Sequence, residues 1–379
     1  MPMRGEGSMR PIYRLILAAA IAFTALVYYR GDFNAETFAL DPAMQLSTES
    51  WKGVHFSAPT ISLIKAVVAQ HGKPAAAVEG CTPFTLLWLG NSQLHYINQF
   101  KTGDHIAPYW MRSAIACPDT TTPLGISLPN AGLQEHYALA SYAVARLPLR
   151  MILLELCFDD LREDGLRGDF SGLLEESDRQ RLKANPTGRD IMARAEGEWG
   201  AANPAEESSG LEGFVQKGVE DRLDAGLGEI WPLWASRPNL RGQVLTDLYY
   251  FRNAALGIKA TTVRKMIGPR YIRNMAALTQ LLDEAQSLGI LVVAYIAPIR
   301  QDMTLPYDLG QYTAWKKEVA DLRKRKGATL ANLETLVPDR LWGTYHADDV
   351  DFMHFRGEGH KILAKALLPY VQAKMGEKR

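Results

Sequence analysis

Four short apolar runs constrain this chain more than any other feature: FTLLWLG at 84–90, LGISL at 124–128, MILLEL at 151–156 and ILVVAYIA at 290–297. Each is too short for a helix and is apolar at odd and even positions alike. A strand buried on both faces reads this way, and such strands belong to a parallel sheet covered by helices. TLANL at 329–333 is a weaker fifth run. Amphipathic helical patterns fill the intervals, at 94–100, 133–147, 271–288, 309–325 and 358–374. Gly289 and Gly327 follow two of them, where a left-handed C-cap belongs. The expected class is α/β, a doubly wound parallel sheet with helices on both faces. A chain of 379 residues, 47% of them hydrophobic, can bury a core of that size.

Two stretches depart from the rhythm. Between the third and fourth runs lie residues 159–289, read as a largely helical insertion that opens on the charged, glycine-rich DDLREDGLRGDFSG and contains ANPAEESSG. Its 214–256 part is expected to be helical and carries Trp231, Trp234, Tyr249, Tyr250 and Phe251, read as core packing rather than an aromatic docking surface. The other departure is LILAAAIAFTALVYY at 15–29, fifteen uncharged residues flanked by Arg14 and Arg30. With Arg14 snorkelling, it reads as an uncleaved transmembrane helix. A signal peptide is the competing reading, but no small-x-small cleavage site follows the run. Arg4, Arg10 and Arg14 before the run place the N-terminus in the cytoplasm and the body outside, in a single-pass protein of the cytoplasmic membrane. The expected organisation is a tail and anchor at 1–30, a connector at 31–59, and a folded α/β body at 60–379 holding the insertion.

Charge and cysteine content narrow the function. Lys plus Arg and Asp plus Glu are 42 each, so the Lys/Arg surplus of a nucleic-acid binder is missing. The balance is uneven, with Arg4, Arg10, Arg14 and Arg30 against Glu6 giving the first thirty residues +3 and leaving −3 on the body. Cys81, Cys117 and Cys157 lack metal-ligand spacing. In an oxidising compartment Cys81 and Cys117 can pair, with Cys157 a buried thiol; three separate thiols are the equal alternative.

Two motifs fall where ligands bind in open parallel sheets, at the carboxyl ends of strands. Leu89-Gly90-Asn91-Ser92-Gln93 closes the first run, and Asp351-Phe352-Met353-His354 forms a turn before the last helix. A serine at a tight turn is a nucleophile when a base reaches it. His354 is a suitable base, and Asp351 can orient the imidazole and stabilise its cation. Each motif alone has an ordinary explanation, since Ser and Asp are common helix caps. Their joint position favours chemistry. Asp348 and Asp349 lack the matching spacing. His354, Glu358 and His360 do not form a metal site, because six residues separate the imidazoles on a helix. His95 and His105 flank Ser92, with capping or surface roles as the ordinary reading. Arg162 and Arg167 read as solvated charges, and the basic run at 323–326 as cations at a helix C-terminus.

LWLGNSQLHYIN and DFMHFRGEGHKILAKAL resemble the SGNH (GDSL-type) hydrolase superfamily, whose first block is Gly-Asp-Ser after strand one and whose last is Asp-x-x-His before the final helix. The resemblance runs from about residue 84 to the end, interrupted by the insertion. It implies a flavodoxin-like sheet with Ser92 as nucleophile, His354 as base and Asp351 as its partner. The family's second block supplies an oxyanion glycine, matched by Gly132 after Asn130. Its third block, Gly-x-Asn-Asp, is replaced by Cys157-Phe158-Asp159-Asp160. An ionised Asp159 cannot donate to an oxyanion, so Asn91, Asn130 or backbone N–H groups must take that place.

The anchor, the outward body, Gly-Asn-Ser-Gln in place of Gly-Asp-Ser, and IAPIR before Asp-x-x-His resemble the membrane-anchored DltD-type and alginate O-acetylation proteins. That resemblance implies a membrane-bound O-acyltransferase (MBOAT) partner and acyl transfer onto a cell-envelope polysaccharide or polyol, with no cofactor. An extracytoplasmic esterase and a non-catalytic docking subunit of an acyltransferase complex are the alternatives.

Overall fold

In the computed structural model, which describes residues 44–51, 54–72, 84–115, 121–202, 263–344 and 350–375, six strands join in one sheet and every neighbouring pair is parallel. In chain order the strands that matter for the site are β1 (Met44–Leu46), β2 (Ser57–Ala58), β3 (Phe84–Gly90), β4 (Tyr96–Asn98), β5 (Thr121–Ser127), β6 (Leu149–Leu156), β7 (Leu291–Ile296), β8 (Thr329–Asn332), β9 (Trp342–Thr344) and β10 (Val350–Phe355). The helices used below are α1 (Ile61–His71), α2 (Ser92–His95), α3 (Ala107–Ala114), α4 (Leu133–Val144), α5 (Glu176–Lys183), α6 (Pro186–Ala202), α7 (Gly268–Ser287), α8 (Leu309–Lys326) and α9 (Gly357–Met375), and one further turn of helix spans Phe170–Leu173.

The sheet order is β8-β7-β6-β3-β5-β2. Apart from the two-residue edge strand β2, this is the flavodoxin-like 2-1-3-4-5 order. The chain leaves β3 toward one edge and returns through β6 toward the other. The switch point, where such sheets hold ligands, therefore lies at the carboxyl ends of β3 and β6.

Side-chain alternation along each strand builds two cores. Leu87 and Leu89 of β3, Ile152 and Leu154 of β6, and Val292 and Ala294 of β7 pack under α1, α4, α7 and α8. Leu86 and Trp88, Met151 and Leu153, and Val293 and Tyr295 face α3 and α9. That is why the runs are apolar throughout. Each of the Leu, Ile, Val and Met side chains among them contributes roughly 1.5–3 kcal/mol on burial. Polar atoms inside the second core are paired, Trp88 Nε1 donating to Tyr295 Oη at 3.0 Å and Trp342 Nε1 to Val337 O at 3.1 Å.

The expected strands and helices are present with shifted ends, with two exceptions. Residues 94–100 do not form a helix. α2 stops at His95, because Tyr96–Asn98 pairs antiparallel with Met44–Leu46, an edge that local periodicity does not register. Asp351 and His354 lie on β10, antiparallel to β9, rather than on a turn. Of the segment read as an insertion, 268–287 is the crossover helix α7 between β6 and β7, packed on α4, while α5 and α6 are additional to the sheet's own helices.

Gly327 caps α8 in the left-handed conformation (φ 66°), and Gly289 (φ 65°) follows α7. The 15–29 run, Cys81, Cys117, the 214–256 segment with Trp231, Trp234, Tyr249, Tyr250 and Phe251, and Asp348 and Asp349 lie outside the described residues. Among the described residues no helix is long and apolar enough to cross a membrane.

Candidate active site

β3 ends at Gly90, and the chain turns at once into α2. Gly90 is required by close approach rather than by an unusual φ: a Cβ there would fall on the Glu155 carboxyl and lie 3.0 Å from the Leu94 side chain. Asn91 is the N-cap of α2, its Oδ1 accepting from Gln93 N–H at 2.9 Å. This presents Ser92 at the first helical position, at the carboxyl edge of the sheet.

β10 brings the other motif to the same place, 262 residues away in sequence. His354 Nε2 lies 2.9 Å from Ser92 Oγ, and His354 Nδ1 lies 3.0 Å and 3.3 Å from the two Asp351 carboxylate oxygens. Asp351 is fully buried and accepts further bonds from the N–H groups of Met353 (2.9 Å) and His354 (3.0 Å) and from Asn98 Nδ2 (2.8 Å). Burial pushes its carboxyl upward, but the His354 charge, its hydrogen bond and the two N–H groups outweigh burial and hold it below the ordinary range. The Asp351 carboxylate therefore stays ionised beside the imidazole. Tyr96 packs its ring edge-on to His354, centroids 5.8 Å apart.

Four further residues, none given a role by the sequence alone, complete the site. Gln93, fully buried, donates from Nε2 to Pro298 O at 2.9 Å and Met353 O at 2.6 Å, tying the nucleophile turn to the strand that carries His354. Asn98 on β4 supports Asp351. Glu155 accepts from Asn91 N–H at 3.2 Å, and Asp160 accepts from Asn91 Nδ2 at 3.0 Å. For Glu155 the available signal was a polar residue inside the otherwise apolar MILLEL run.

The oxyanion candidates are placed unequally. Asn91 points its amide nitrogen at Asp160 and also reaches the Cys157 thiol, so it serves the turn rather than an open pocket. Asp159 is held by Arg264 (3.0 Å), Tyr307 Oη (3.0 Å) and Arg162 (3.5 Å), an acceptor in an ion-paired cluster. Asn130 is exposed, in the left-handed conformation (φ 53°), on the loop leading into α4. Gly132 is the N-cap of α4, beside Asp160 O and Asn274. Arg167 secures that loop from behind, pairing with both Glu135 oxygens (2.8 and 2.7 Å) and donating to Pro129 O at 2.9 Å.

His95, His105 and His360 have structural partners. His95 bonds Ser127, and His105 bonds Glu49 at 3.1 Å. His360 accepts from Ala107 N–H at 3.3 Å and donates to Tyr96 O at 3.1 Å, which leaves neither ring nitrogen for a metal. Cys157 is a buried free thiol. Among the described residues no three His, Cys, Asp or Glu side chains are grouped to hold a metal ion.

No protein-family model matches the chain, and no curated protein matches it.

Proposed function

We propose that this protein is an SGNH-type acyl-transfer enzyme that carries an acyl group on Ser92 and delivers it to a hydroxyl of a cell-envelope polysaccharide or polyol. The observation that supports this reading is the continuous relay from Ser92 Oγ through His354 to Asp351, with hydrogen-bond contacts of 2.9 and 3.0 Å between side chains 262 and three residues apart in sequence. Serine chemistry needs this arrangement, and chance packing of a serine, a histidine and a buried carboxylate rarely supplies all of it.

Ser92 Oγ attacks the acyl carbonyl while His354 Nε2 takes its proton. Backbone N–H groups of Ser92 and Gly132 stabilise the oxyanion, since the Asn91 amide is engaged and Asp159 is an acceptor. His354 returns the proton to the leaving group as the carbonyl–leaving-group bond breaks, which leaves a Ser92 ester. An acceptor hydroxyl then loses its proton to His354 and attacks the ester; the acyl group moves to the acceptor, and His354 reprotonates Ser92 Oγ. The Asp351 carboxylate stabilises the His354 imidazolium in both halves.

In the cell this chemistry is assigned to the outer face of the cytoplasmic membrane, the 15–29 run serving as anchor and an MBOAT-type protein supplying acyl groups. Incubating the chain with an activated acyl ester and a polyol acceptor tests the reading. Acylated acceptor is expected, together with a Ser92 ester trapped when acceptor is withheld. Free acid as the sole product identifies an esterase, and turnover unchanged by Ser92→Ala refutes both enzymes.

A further inference from the structure

Behind the nucleophile turn two acidic side chains are buried together. Glu155 in β6 and Asp160 in the 3-10 turn Asp159–Arg162 are 1% and 2% exposed. Asn91 and Cys157 lie between them. Asn91 gives its N–H to Glu155 Oε2 (3.2 Å) and its amide to Asp160 Oδ1 (3.0 Å). Cys157 gives its N–H to Asp160 Oδ2 (3.0 Å) and its thiol to Glu155 Oε1 (3.6 Å). Each donor thus bridges both carboxyls, and the Glu155 carboxyl fills the space that a Gly90 side chain would need.

None of these four contacts brings a positive charge. The other ionisable groups around the pair are Tyr295 on β7, Asp159 in the turn with Arg162 and Arg264 bound to it, His136 on α4 reaching Gly90 O at 3.3 Å, and His354 on β10. His354 is the one that acquires charge during the reaction. Two ionised carboxylates in such a place repel each other, and each loses its hydration. Burial accordingly pushes Glu155 up to about 7, against the pull of Asn91 N–H, Cys157 and His354. Asp160 is raised by burial, and the Glu155 charge adds to the rise.

We propose that Glu155 and Asp160 form a coupled acidic pair, bridged by Asn91 and Cys157, that positions Asn91, and through it Ser92, and that the ionised form of Glu155 supports the imidazolium which His354 becomes. The proposal rests on Ser92 and His354 acting as nucleophile and base. Protonating Glu155 weakens the acceptor that holds Asn91 N–H and removes a negative charge facing His354. The rate of Ser92 acylation is therefore governed by a carboxyl ionisation in addition to that of His354, and it rises as Glu155 loses its proton.

The test is the burst of p-nitrophenolate released when the full chain in detergent meets p-nitrophenyl acetate, followed across pH for wild type, Glu155→Gln, Asp160→Asn and Ser92→Ala. Glu155→Gln is expected to slow the burst roughly tenfold or more at alkaline pH without changing apparent ester binding, and to reduce the acid limb from two ionisations to one. Asp160→Asn is expected to shift the carboxyl ionisation to lower pH. A wild-type burst with a single ionisation that Glu155→Gln leaves unchanged overturns the positioning role alone. A wild type as inert as Ser92→Ala overturns the reading of Ser92 and the positioning role with it. Infrared titration of wild type keeps the carboxyl pair testable should the variants misfold: a protonated-carboxyl band that disappears near neutral pH is expected, and a folded protein without that band at pH 6 contradicts a carboxyl held protonated in the pair.

Discussion

Asp351 orients His354 only while its own lone pairs are spoken for, and Asn98 is the side chain that does this from outside the motif. Asn98→Ala removes a donor from a fully buried carboxylate, freeing it to turn away from the imidazole. The expected outcome is a kcat lower by about tenfold with KM nearly unchanged, measured on ester turnover, because the lost interaction matters most when His354 is charged. Gly90→Ala is expected to be worse, since its Cβ would collide with Glu155 and displace the turn itself. Here the reach of sequence reading is clear. Ser92, Asp351 and His354 were legible because each motif is local: a serine directly after a strand, and an aspartate three residues before a histidine. Asn98, Gln93, Glu155 and Asp160 were not, because their roles depend on partners 253, 205 and 260, 64 and 69 residues distant respectively. Glu155 looks like an ordinary interior residue of MILLEL until Asn91 is placed beside it.

The element most open to misreading was α2. Its sequence has helical periodicity through residue 100, yet the helix ends after one turn because β1 offers Tyr96–Asn98 a ladder. Ser47 N–H extends this contact to His95 O at 3.0 Å. Removing residues 1–47 unpairs β4 and leaves Asn98 held from one side only. The truncated chain is expected to melt several degrees lower, about 2–4 °C for each kcal/mol lost, and to lose ester turnover in parallel with Asn98→Ala. Wild-type melting and turnover after truncation would show that β4 needs no partner. α8 offers a control remote from the site: Gly327→Ala places a side chain at φ 66° and is expected to cost about 1 kcal/mol in urea unfolding with turnover intact. The strands, by contrast, were legible because parallel burial leaves continuous apolar runs, and that signal needs no knowledge of partners.

Across the whole molecule, buried titratable groups pull stability in opposite directions with pH. Burial lowers His95 to about 3, His136 to about 4 and His360 to about 3, from an ordinary 6.5. Above 6.5 they are neutral in both states. Below it the unfolded chain takes up protons that the folded chain refuses, so stability is lost as pH falls toward 4. Glu155 has the opposite sign. Between its ordinary 4.5 and about 7 the folded chain holds a proton that the unfolded chain has released, so its contribution is lost as pH rises through that window. His71 is lowered as well, and Asp160, Glu163 and Glu284 are raised like Glu155, so the two directions oppose each other between about pH 4.5 and 6.5; at lower pH the depressed Asp164, Asp178 and Asp351 carboxyls add to the imidazoles, and urea midpoints are expected to fall steeply there. Glu155→Gln is expected to flatten the neutral limb, and an unchanged limb would contradict its raised ionisation. The charge balance takes on a similar two-part form, with +3 in the first thirty residues and −3 in the body that holds the site. The relay from Ser92 to Asp351 is tested most directly by intact-mass measurement of the chain after exposure to a fluorophosphonate. A single adduct mapped to Ser92, lost in Ser92→Ala and slowed at least about a hundredfold in His354→Ala, is the expected result. An unlabelled wild type, or an adduct that persists in Ser92→Ala, would contradict it.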